Sequence, residues 1–139
     1  MRAFVLLDAG PLVAYLDPHD TYHDWAVARW RELEPPLLTC EAVITEACFL
    51  LRSTGPLAYA PIEIVEQGHI RTRFRLEEQA PAVARLMQRY ANVPILLADA
   101  CLVRMAEQYQ NSRVLTIDRH FTIYRKNGRE VIPTIMPPL

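Results

Sequence analysis

The sequence predicts an α/β sandwich around a mostly parallel central sheet. Three observations carry that expectation. Ala3-Phe-Val-Leu-Leu7 is an apolar run without alternation, the pattern of a strand buried on both faces. Arg113-Val-Leu-Thr-Ile117 is a second such run, and each ends on an acid, Asp8 and Asp118. Between them, helical patterns alternate with short strand patterns, the order that builds parallel sheets with helices packed on them.

The elements follow in order. After Asp8, Gly10 and Pro11 turn the chain into a helix through Leu16. Asp17-Pro-His-Asp20-Thr21 is a turn, and Asp20 or Thr21 is placed to cap a second helix. Tyr22, Ala26, Trp30 and Leu33 recur along it at helical spacing and predict a packed stripe. Pro35-Pro36 ends that helix, Leu37-Leu38-Thr39 is a short strand, and a helix runs from Glu41 to Arg52. Ser53-Thr-Gly-Pro56 breaks it, and another helical segment reaches Gln67-Gly68. Ile70 to Leu76 alternates with period two, which predicts a strand with Arg71, Arg73 and Arg75 on one face, either solvated or touching RNA phosphates. Glu77 and Glu78 open a helix to about Tyr90, provided Pro81 lies in its first turn. A helix over Leu97 to Gln110, the strand ending at Asp118, a turn through Phe121 and a last strand near Val131 to Ile135 complete the chain.

Composition narrows the function classes. A chain of 139 residues with 51% hydrophobic content forms one domain able to bury roughly two thirds of its unfolded surface. No run approaches the ~18 apolar residues of a membrane helix. An acid at position 8 interrupts the N-terminal apolar stretch, so a secretory signal is not expected and the cytoplasm is. Cys40, Cys48 and Cys101 include no CxxC pair and read as reduced thiols, with Cys48 and Cys101 in apolar helical runs. A net charge of −1 speaks against a protein that coats nucleic acid, but not against an enzyme gripping a few nucleotides. His19 and His23 are four apart, yet no HExxH motif or third ligand accompanies them.

Four acids stand where structure alone gives them little reason to be. Glu46 has Ala42, Val43, Phe49 and Leu50 at helical neighbour positions, and Asp99 has Ile95, Leu96, Leu102 and Val103. An unpaired carboxylate on a packed face would normally take up a proton. Structural alternatives exist for each: an Arg partner for Glu46, a favourable first helical turn for Asp99, and caps or turns for Asp8 and Asp118. If the sheet is parallel, both strand ends open on one edge, where the other two acids can join them. Such repulsion is relieved by a hard divalent cation, Mg²⁺ or Mn²⁺, which all-oxygen ligands select. One or two such ions can activate a water against a phosphodiester. Other acid-pocket chemistries fit less well: Gly10 occupies the place of an aspartyl-phosphatase's second Asp. The single Lys, Lys126, lies in a polar turn rather than at the strand end a receiver domain needs, and no Gly-rich loop supports nucleotide cradling.

The pieces Leu6-Leu-Asp8-Ala-Gly-Pro-Leu-Val-Ala-Tyr-Leu16, Ile44-Thr-Glu46-Ala47, Leu97-Ala-Asp99-Ala-Cys-Leu-Val-Arg-Met-Ala106 and Leu115-Thr-Ile-Asp118-Arg-His-Phe121 together resemble the PIN-domain nucleases, in particular the VapC-like toxins of toxin–antitoxin pairs. The resemblance spans nearly the whole chain. It implies a single nuclease domain over residues 1–139, built as a three-layer α/β/α sandwich with a mostly parallel central sheet. It also implies Mg²⁺- or Mn²⁺-dependent cleavage of RNA, frequent homodimers, and a small antitoxin protein whose tail covers the acidic pocket. Metal-ligand and catalytic roles carry over to Asp8, Glu46, Asp99 and Asp118, with Thr116 in support. Two positions depart from the family pattern: Ala9, where many relatives carry Ser or Thr, and Leu96, where some carry a further acid. A housekeeping RNA-processing nuclease and a non-catalytic binding module on the same scaffold remain as alternatives.

Overall fold

The computed structural model describes residues 3–139. Five strands form one sheet: β1 (Phe4–Leu7), β2 (Leu37–Leu38), β3 (Ile70–Arg71), β4 (Ser112–Leu115) and β7 (Thr134–Ile135). Their order is β3-β2-β1-β4-β7, and every pairing is parallel. β1 aligns Phe4 to Leu7 with Ser112 to Leu115 on one side and Leu6 with Leu38 on the other. Its apolar run therefore has neighbours on both edges, and Leu6 and Leu7 are fully buried. The remaining strands, β5 (Arg125–Lys126) and β6 (Glu130–Val131), form an antiparallel hairpin.

Six α-helices surround the sheet: α1 (Ala9–Leu16), α2 (His23–Glu32), α3 (Glu41–Leu50), α4 (Ala60–Glu66), α5 (Leu76–Arg89) and α6 (Leu97–Gln108). The first four pack among themselves, and α5 packs along α6, as expected of an α/β/α sandwich. Because β1 connects toward β2 while the return from β3 lands on β4, the strand order reverses beside β1. That reversal opens a crevice at the carboxyl ends of β1 and β4, the usual ligand position of open α/β sheets.

Several sequence expectations are corrected. The second helix begins at His23 with no side-chain cap; Asp20 instead accepts a bond from Tyr22 N (2.8 Å), closing a turn before the helix. Of its apolar stripe Ala26 is buried and Trp30 and Leu33 half-buried, but Tyr22 is exposed. The helix expected from Glu41 to Arg52 ends at Leu50. A 3₁₀ stretch, Arg52–Tyr59, follows, broken at Gly55, whose φ of 67° is easy only for glycine.

The strand expected over Ile70 to Leu76 pairs only through Arg71, because β3 lies at the sheet's edge and its one partner, β2, is two residues long. Pro81 lies at the sixth position of α5, beyond the first turn. It is exposed, as is Glu77 four residues before it, so the carbonyl deprived of its donor lies where water can serve it. The expected last strand divides: Glu130–Val131 turns back on β5, and Thr134–Ile135 joins β4. Cys48 is half-buried, whereas Cys40 and Cys101 are core residues. Among the described residues no helix is long and apolar enough to cross a membrane.

Candidate active site

The four acids singled out from sequence line one open cavity of about 410 Å³ at the reversal crevice. Gly10, Pro94, Leu96, Ile117 and His120 complete its wall.

Asp8 leaves the end of β1 as the N-cap of α1. Its Oδ1 accepts a bond from Ala9 N (2.8 Å) and its Oδ2 one from Thr116 Oγ1 (2.7 Å). Thr116 is fully buried just beyond β4, and the same hydroxyl accepts a bond from Asp118 N (2.9 Å). One hydroxyl thus fixes the first acid to the backbone that carries the fourth. Gly10 permits this approach, since a Cβ there would stand 2.8 Å from Ile117 Cγ1. Asp118 caps the short 3₁₀ turn Arg119–Thr122, accepting from His120 N (2.9 Å) and lying 2.8 Å from His120 Nδ1. The cap readings of Asp8 and Asp118 and their place in the cavity therefore hold together.

Asp99 occupies the first turn of α6, where the helix dipole favours an acid, and its Oδ2 accepts a bond from Leu96 N (3.1 Å). Tyr124 donates to the same oxygen from 3.4 Å. Glu46 projects from α3 without a hydrogen bond or ion pair among the described residues, so the Arg partner it might have had is not there. The packed face inferred for it is also only partial: Val43 is buried, whereas Phe49 and Leu50 are exposed.

The electrostatics follow from this arrangement. Burial pushes Asp8 up to about 7, against the pull of the Thr116 and Ala9 hydrogen bonds and with the charges of Asp99 and Glu46 adding. Glu46 is raised by burial and then by Asp99 and Asp118. Asp99 is also raised, chiefly by burial, with Asp118 adding and the bonds from Leu96 and Tyr124 opposing. Burial beside these acids raises the Tyr124 hydroxyl too, keeping it a neutral donor.

No Lys or Arg side chain pairs with any of the four acids among the described residues, so a bound cation would relieve their repulsion. The donors are all oxygen, which suits Mg²⁺ or Mn²⁺. Among the described residues no group of three or more His, Cys, Asp or Glu side chains is set to hold a metal ion as it stands. An open carboxylate wall still fits Mg²⁺, which keeps several of its waters and takes only one or two carboxylates. His23 lies apart, with its Nδ1 2.7 Å from Ala14 O.

Tyr124 is the site residue that sequence spacing did not reveal. It is fully buried and meets Tyr90 and Phe121 edge to face. The only trace in the sequence is the aromatic pair Phe121 and Tyr124, three apart after the last acid.

Thr116→Val keeps the shape but removes both hydrogen bonds of the hydroxyl. It is expected to cost about 1–3 kcal/mol of stability by stranding Asp118 N and one side of Asp8. Any activity dependent on Asp8 falls about 10–100-fold. Denaturant unfolding and turnover of the Val and Ser variants check this, with Ser expected to restore both.

Four carboxylates thus share the crevice at the switch point of a parallel α/β/α sheet, where this architecture places its ligands. The sequence pattern of the PIN domain matches residues 5–127, and the chain belongs to the PIN-domain family. The crystal structure of VapC20 from Mycobacterium tuberculosis, a Sarcin-Ricin loop cleaving toxin, is similar in fold. The TM-score is 0.76 at 17% identity, over 86% of this chain and 93% of that one. No curated protein sequence matches the chain.

Proposed function

We propose that this chain is a Mg²⁺- or Mn²⁺-dependent endoribonuclease, a single nuclease domain acting as the toxin of a cytoplasmic toxin–antitoxin pair. The observation that carries the reading is the set of four acids around one cavity with no Lys or Arg partner among the described residues. Membership of the PIN family and the fold shared with a toxin that cleaves the Sarcin-Ricin loop support the choice of RNA as substrate.

Asp8, Glu46, Asp99 and Asp118 would hold the ion, one or two of them directly and the others through its waters. Bound there, it would lower the pKa of a water and offset charge on the phosphodiester. Thr116 holds Asp8 in one rotamer and ties it to Asp118, so both keep their positions without the ion. The bonds from Leu96 N and Tyr124 to Oδ2 fix the Asp99 carboxylate at the crevice wall, where it would help hold the ion. Leu96, 58% exposed at the rim, and Phe49 and Leu50 beyond Glu46 offer apolar contacts to an antitoxin segment. Such a segment would place an Arg among the carboxylates. A homodimer is part of the same reading.

The test incubates the isolated protein with a mixed RNA pool and Mn²⁺ or Mg²⁺, beside an EDTA control. Cleavage that disappears with EDTA is the expected result. Thermal stabilisation by Mn²⁺ with no RNA cut would overturn the nuclease in favour of a binding module.

A further inference from the structure

A second cavity, of about 80 Å³, lies against the far half of α6. Arg71, Arg73 and Arg75 all line it, although only the first belongs to a strand, because Arg75 is still extended where α5 begins. The period of two therefore survives the end of sheet pairing and keeps the three guanidinium groups together. Phe74, between the last two, packs against the core and anchors the segment.

The charge there is not internally balanced. Glu78 is the one acid among the lining residues, and Arg75 engages it at 3.0 Å. Arg71 and Arg73 have no carboxylate partner among the described residues, in a chain whose net charge is −1. Guanidinium groups are matched to phosphate oxygens, which they can grip in bidentate fashion. Gln79 and Gln108 add polar groups to the wall.

The cavity shares no residue with the carboxylate crevice, yet α6 connects them. Asp99 is in its first turn, and Met105 and Gln108 of the second cavity are six and nine residues further on. Those positions lie toward the other side of α6 from Asp99. Across the sheet, however, Arg71 is in register with Leu38 and Leu38 with Leu6, two residues before Asp8, which sets the two sites about 10 Å apart, two strand spacings. A single-stranded RNA held at the crevice could cover such a distance with its next few phosphates.

We infer that Arg71 and Arg73, with Arg75 beside them, form an exosite for a backbone phosphate of the RNA whose scissile bond lies at the carboxylate crevice. This rests on the nuclease reading. It assigns these arginines to holding the strand rather than to chemistry.

The test measures binding of a labelled single-stranded RNA in EDTA, where nothing is cut, for wild type and the Arg71→Gln/Arg73→Gln double variant. Both side chains are exposed, so the fold holds. Affinity should fall about tenfold for each arginine, and the slope of log affinity against log salt should drop by about 0.7, the share of one phosphate on a single strand. With Mn²⁺ present, KM for the long RNA should rise while kcat stays, and cutting of a dinucleotide should not change. The Arg71→Lys/Arg73→Lys variant should recover the salt slope. Equal RNA affinity in wild type and the Gln variant would overturn the exosite. So would inorganic phosphate binding that the Gln variant loses while its RNA affinity stays intact, since the cavity would then take only free anion. Arginine-dependent RNA binding with no cleavage under any metal would instead overturn the nuclease reading and leave the exosite standing.

Discussion

Asp8→Asn is expected to abolish RNA cleavage while raising the melting temperature of the metal-free protein. The two effects have one origin. Asp8 is 6% exposed and held by Thr116 and Ala9, so the amide fits the same space. It can still accept from Ala9 N, and the Thr116 hydroxyl can accept from the new amide beside Asp118 N, at the cost of leaving its own buried proton without an acceptor. What disappears is a charge that burial and two nearby acids already oppose. Stability therefore gains about 1 kcal/mol or more near neutral pH. On the proposed reading the cation would lose a ligand, and about 4 kcal/mol of lost transition-state stabilisation corresponds to roughly a thousandfold in rate.

Asp99→Asn should lose activity to a similar extent, but with a smaller gain in stability, because its carboxylate also serves the first turn of α6. Parallel cleavage assays and thermal melts read both quantities. Cleavage retained by a folded Asp8→Asn protein would remove this residue from the mechanism. A variant that melts below wild type would mean that the charge is compensated in a way the geometry does not reveal.

The acids were legible because each broke a local pattern. Asp8 interrupts a strand that is apolar up to it, and Asp99 interrupts a helix that is apolar around it. Glu46 was found for a reason that is half correct, since Val43 is core but Phe49 and Leu50 face outward. An amphipathic reading cannot separate a packed apolar face from an exposed one made of the same residues. What sequence could not supply was mostly pairing. Ile70 to Arg75 is extended in character, but a strand ends where its partner ends, and β2 is two residues long. The chain from Glu130 to Ile135 is likewise one apolar-rich stretch divided between two partners. Tyr124 was out of reach for a different reason: its link to Asp99 crosses 25 residues and depends on the edge-to-face packing of Tyr90 and Phe121. Thr116 was accessible only through the family resemblance, since a threonine in an apolar strand breaks no pattern of its own.

The pH dependence of stability should reverse its sign when a divalent cation is added. Asp8 moves from 3.8 in the unfolded chain to about 7 in the fold. Between those values the folded chain keeps a proton that the unfolded chain has released, so the stability this group contributes is present in acid and lost as pH rises through about 7. Glu46 and Asp99 are shifted in the same direction and add to the trend. In EDTA, the rise from about pH 5 to about pH 8 should cost roughly 2–3 kcal/mol from Asp8 alone, a fall of roughly 5–10 °C in melting temperature for a chain of this size. Cation binding requires the ionised carboxylates, so affinity increases over the same interval. The stabilisation it supplies by mass action is therefore small near pH 5 and large near pH 8. Melting curves at both pH values, with and without Mn²⁺, test the coupling, and Asp8→Asn serves as the control that flattens the metal-free trend. A melting temperature independent of pH in EDTA would mean that Asp8 is not buried as a charged group. An equal Mn²⁺ shift at both pH values would mean that the ion binds somewhere other than the four acids.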